Sequence, residues 1–66
     1  MKTWRVDYSV KNSDGEITEL EKVFEATGLL AAYALAEQQI RQPLLKMPDV
    51  ADVVIWGVVI INDDVF

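Results

Sequence analysis

Sixty-six residues, 52% of them hydrophobic and 26% charged, predict one small globular domain over residues 1–66, too apolar for disorder and too short for two separately packed cores. With neither cysteine nor histidine, the chain lacks disulfides, thiol nucleophiles, imidazole bases and the usual zinc, haem and iron–sulfur ligands, so no metal or other cofactor is expected. Eleven acidic against six basic residues give a net charge of -5, the wrong sign for gathering phosphates by counterion release, and direct nucleic-acid binding is not expected.

Met1 to Arg5 carries no apolar stretch of signal-peptide length, and the longest apolar run, Val53 to Ile61, is far shorter than the ~20 residues of a membrane helix. The expectation is a cytoplasmic protein with no membrane partner. Thr3 to Lys11 alternates strictly, with Trp4, Val6, Tyr8 and Val10 on one side and Arg5, Asp7, Ser9 and Lys11 on the other, as a half-buried strand does. Asn12-Ser13-Asp14-Gly15 supplies turn chemistry, and Glu16 to Ala26 returns as the second strand of a hairpin. In that strand Leu20, Phe24 and Ala26 share one phase and Ile17 and Val23 the other, which suggests a bulge between Ile17 and Leu20.

From Leu29 to Gln42 the period changes to 3.6, and Ala32, Leu35, Ala36, Gln39 and Ile40 make a helical stripe whose alanines allow a close approach to a sheet. Pro43 ends or kinks this helix, with Leu44 to Met47 forming one further turn. Ala51 to Asn62 is the last strand. The order β-β-α-β, with a right-handed crossover, places the third strand beside the first. The expected fold is α+β in two layers, a three-stranded antiparallel sheet of order 2-1-3 packed on one long helix.

In Val53 to Ile61 both alternation phases are apolar, a pattern of strands buried on both faces, yet one helix covers only one face of a sheet. A bulge or bend at Gly57 would switch the inward phase and reduce the exposed area. Self-association through Val54, Trp56, Val58 and Ile60 is the favoured explanation, because a chain below ~70 residues without disulfide or metal draws stability from an oligomer interface. The acidic residues Asp49, Asp52, Asp63 and Asp64 flank the run and would limit open-ended stacking.

Two further surfaces are candidate partner sites. Glu16, Glu19, Glu21 and Glu25 make an acidic stripe able to meet a basic surface, and Leu44, Leu45 and Met47 crowd apolar area into a proline-bounded connection. Paired carboxylates can act as acid and base only in a dry pocket that separates their pKa values, and a domain this small has little room for one. No catalytic residue is assigned. The turn at Asn12 to Glu16 is only faintly like part of a calcium loop, without the 12-residue length and closing glutamate of an EF-hand. The segment from Trp4 to Gln39, a hairpin followed by Ala31-Ala32-Tyr33-Ala34-Leu35-Ala36, resembles part of a double-stranded-RNA-binding domain, but Gly28-Leu29-Leu30-Ala31 lacks that family's basic cluster and RNA binding is not inferred.

The resulting expectation is a small acidic protein-binding module without enzymatic activity, acting on an unidentified protein partner as a phage or mobile-element inhibitor of a host or defence protein does. The alternative is a structural protein, a homodimer or higher oligomer, assembling through its C-terminal strand.

Overall fold

The alternation of Thr3 to Lys11 places four apolar side chains on one side of β1 (Lys2–Asn12), and Trp4, Val6, Tyr8 and Val10 are all buried there. A computed structural model describes residues 2–62; the expected roles of Asp63 and Asp64 lie outside the described residues. The hairpin to β2 (Ile17–Ala26) turns through Asn12 to Glu16. Gly15 takes φ +91°, a conformation that glycine adopts without steric cost. Its N–H donates to the Asn12 carbonyl at 3.0 Å, and the Glu16 N–H donates to Asp14 Oδ1 at 3.0 Å, so the Asp14 carboxylate is engaged in closing the turn. Ser13 N–H donates to the Asp49 carbonyl at 2.9 Å and ties the turn to the approach of the last strand.

The sheet has the order β2-β1-β3 and both pairings are antiparallel, the expected two-layer α+β topology. The register between β1 and β2 is unbroken from Lys2↔Ala26 to Lys11↔Ile17. The bulge expected between Ile17 and Leu20 is therefore absent: the phases of β2 are regular, and Ile17 and Val23 simply occupy the face away from the helix.

The helical layer begins at Gly28, an extended N-cap residue with no side-chain cap, and runs as α1 (Leu29–Ala36). A π-helical turn, Glu37–Arg41, follows and leads into α2 (Gln42–Leu45). Pro43 explains the interruption. It has no N–H, and its ring clashes with the carbonyl four residues back in a regular helix. Widening the preceding turn, so that Gln42 N–H donates to the Glu37 carbonyl, accommodates the proline without ending the helix. Ala32, Ala36 and Ile40 stay in line and are buried against the sheet, whereas Gln39 of the expected stripe is exposed.

β3 (Val50–Asn62) carries the most irregular geometry. Register shifts at Thr3/Trp4, Asp7/Tyr8 and Lys11/Asn12 leave Ala51, Trp56 and Ile61 without a partner on β1, one extra residue at every fifth position. Each extra residue flips the alternation. Val53 and Ile55 face the helix in one phase, and Val58 and Ile60, opposite Val6 and Trp4, face it in the other. The apolar character of both phases is thus the record of a strand that changes phase rather than of one buried on both sides. Val53 is 2% exposed, and Ile55 and Val58 pack against the core of Val6, Tyr8, Phe24, Ala36 and Ile40.

Arg41 fastens the helix to β3. Its Nε donates to the Val53 carbonyl at 3.3 Å and its Nη1 donates to Glu37 Oε1 at 2.7 Å. At the other end Trp4 Nε1 donates to the Ala26 carbonyl at 3.2 Å, satisfying a buried indole N–H. The helical run is about 25 Å long at 1.5 Å per residue, shorter than the ~43 Å of a 13-residue strand. The molecule is accordingly long and thin, 47 by 17 by 12 Å, with a radius of gyration of 12.9 Å against roughly 11 Å for a compact domain of this length. Among the described residues no layer covers the second face of the sheet.

Candidate functional site

The register of the two ladders defines that uncovered face. On β1 it carries Arg5, Asp7, Ser9 and Lys11, and on β2 the residues opposite them, Val23, Glu21, Glu19 and Ile17, with Glu25 opposite Thr3. On β3 it carries Asp52, Val54, Gly57 and Val59, and the extra residue Trp56 lines a shallow depression there together with Asp7, Glu19, Leu20 and Glu21. β3 contributes an apolar strip, with Trp56 58%, Val54 51% and Val59 43% exposed. β2 contributes the carboxylates Glu19, Glu21 and Glu25 together with the exposed Ile17 and Val23, and β1 places an ion pair between the two strands.

That pair is close-set. Arg5 Nε lies 3.1 Å from Asp7 Oδ1, and Nη2 donates to Oδ2 at 3.3 Å. Glu21 Oε2 stands 3.8 Å from the same Nε, which is itself shielded from solvent but not aligned for a hydrogen bond. Asp7 is the single buried charged residue among those described, 7% exposed. It is buried because Gly57 faces it without a side chain: a Cβ at Gly57 would stand 3.0 Å from Asp7 Oδ2 and 3.3 Å from its Cβ. In total the face carries Asp7, Glu19, Glu21, Glu25 and Asp52 against Arg5 and Lys11, five carboxylates against two cations and a net of -3.

The side of the molecule that bears the helix has the opposite balance. Lys2 and Lys22 lie on the helix-facing side of the sheet, opposite Ala26 and Val6, the helical layer adds Arg41 against Glu37, and the connection from α2 to β3 adds Lys46 and Asp49. Four cations against two carboxylates give a net of +2. Lys22 is further held with its ammonium 5.6 Å from the Phe24 ring centroid. α1 itself is uncharged and packs inward with alanines, leaving its large residues outside: Leu30 is 86%, Leu29 53% and Tyr33 48% exposed. A helix apolar on all sides is ordinarily covered on all sides.

Of the residues expected to mediate self-association, the structure brings only Val54 and Trp56 together on the open face. Val58 and Ile60 are turned toward the helix by the extra residue at Trp56, so the four do not form one surface. Val59 takes their place. Glu19, Glu21 and Glu25 do share the open face, while Glu16 sits in the turn before β2. In the proline-bounded connection Leu44 packs against the core, and Leu45 and Met47 remain exposed. Among the described residues no three carboxylates converge in the manner of a metal site, and no helix is long and apolar enough to cross a membrane. The exposed α1 residues went unrecognised in the sequence; the absence of any charge from Thr27 to Ala36 was the signal available. Comparison with protein-family models, curated proteins and solved structures finds no match to this chain.

Proposed function

We propose that the protein is a non-catalytic binding module whose working surface is the open face of its sheet. The observation that carries this reading is the exposed strip Val54, Trp56 and Val59 beside the carboxylates of β2. An exposed apolar patch with a charged margin marks an interaction surface, and aromatic anchors contribute disproportionately to binding. The carboxylates stand in a row along a strand at the surface, an arrangement that suits electrostatic complementarity rather than acid and base catalysis. In this reading the module acts in the cytoplasm by covering a surface of its partner, as a small occluding inhibitor does.

The test is capture with the purified chain as bait, comparing wild type with Trp56→Glu, with Glu19→Lys/Glu21→Lys and with the turn variant Asp14→Asn. The reading expects a stoichiometric partner held by wild type and Asp14→Asn and lost on both open-face variants. A partner held equally by all four chains overturns it.

The charge division between the two sides favours a second reading, a self-assembling protein, in which the partner is the chain itself.

A further inference from the structure

We infer that the open sheet face of one molecule receives the helical side of a second copy, in a head-to-tail contact. The inference rests on the open face being the working surface and adds the identity of its occupant. Three features select that occupant. The two sides of the molecule carry opposite net charges, -3 on the open sheet face and +2 on the side bearing the helix, so a sheet-to-helix contact joins complementary potentials. Stacking two open faces would instead bring ten carboxylates into one interface with four cations, two of them the Arg5 residues already paired with Asp7.

The apolar areas also match in kind. α1 offers Leu29, Leu30 and Tyr33 with no charge along its length, and the strip on β3 offers Trp56 with Val54 and Val59. Among the described residues neither has a covering within its own molecule, and one contact covers both. Finally, edge pairing is poorly served by this fold. β3 is interrupted at Ala51, Trp56 and Ile61, and bulges of this kind twist an edge away from a second strand, while the β2 edge is guarded by its glutamates. The contact is heterologous, so it closes into a ring or continues as a filament rather than stopping at a two-fold dimer.

The experiment uses two surface variants of the full chain, Leu30→Glu and Trp56→Glu, each checked for native circular dichroism and then followed by sedimentation equilibrium from micromolar to millimolar concentration. Wild type is expected to exceed a dimer in mass as concentration rises. Each variant alone retains one good surface and one spoiled one, and is expected to stay at 7.5 kDa. Their equimolar mixture restores a single intact joint, and its mass is expected to double. A wild type that remains monomeric overturns the inference and leaves the binding-module reading to the capture experiment. A Leu30→Glu chain that associates like wild type, with no rescue in the mixture, also overturns it and points to sheet-on-sheet pairing.

Discussion

Gly57 stands opposite Asp7 across the β1–β3 ladder, and the space its missing side chain leaves is filled by the Asp7 carboxylate, 3.0 Å from where a Cβ would sit. This contact joins the phase change of β3 to the ion pair of the open face. Replacing Gly57 by alanine crowds the Asp7 carboxylate and forces it aside, and is expected to cost about 1–3 kcal/mol. The same substitution at Gly28, where nothing lies within 4 Å, is expected to cost less. In an Asp7→Ala background the penalty at Gly57 should shrink, and urea unfolding of the double-mutant cycle measures the difference.

Arg41 ties the π-helical turn to β3 by its bond to the Val53 carbonyl and pairs with Glu37. Arg41→Ala is expected to lower stability by about 1–2 kcal/mol, since it removes a donor from a part-buried carbonyl. Glu37→Gln removes only a part-exposed charge and should cost about 0.5 kcal/mol or less. Equal losses for the two variants in urea would contradict this division.

Ile40 is 2% exposed and fills the core beneath the turn that Pro43 imposes. Ile40→Val is expected to cost about 0.5–1.5 kcal/mol and Ile40→Ala about 2–5 kcal/mol. For a core that supplies about 3–5 kcal/mol in a chain of this size, the alanine variant should be largely unfolded by circular dichroism while the valine variant remains folded.

Gly28 caps α1 with no side-chain acceptor, and the first turn contains no acidic residue. Gly28→Ser and Gly28→Asp add an acceptor for the free N–H groups, with open space for it. Each is expected to gain a few tenths of a kcal/mol, aspartate the more because its negative charge also complements the positive N-terminal end of the helix dipole. A fall in the urea midpoint would show that the cap is already satisfied.

The strand order and the helix-facing residues of β1 were legible because Thr3 to Lys11 alternates without interruption, and the turn because Asn12 to Gly15 has the chemistry a hairpin needs. β2 was less legible, since the helix covers only its Phe24 and Ala26 end and leaves Leu20 largely exposed. Its regular alternation therefore looked broken. In β3 the difficulty is intrinsic. With both phases apolar, no pattern distinguishes a strand buried twice from one that flips at Trp56, and only Gly57 hinted at the flip. For that reason the sequence alone groups Val58 and Ile60 with Val54 and Trp56, whereas the register sets them opposite Val6 and Trp4 on the helix-facing side. The π-helical turn was invisible because its cause, Pro43, lies beyond it and is equally compatible with a helix end.

The central claim, that the open face is covered by another copy of the chain, is tested most directly by the environment of Trp56. In a Trp4→Phe variant Trp56 is the only indole, and its acrylamide quenching can be followed from micromolar to millimolar protein. The account predicts that Trp56 is freely quenched in dilute solution, becomes progressively protected as concentration rises, and loses that protection when Leu30→Glu is added to the same chain. Quenching that is unchanged across the whole range would contradict it.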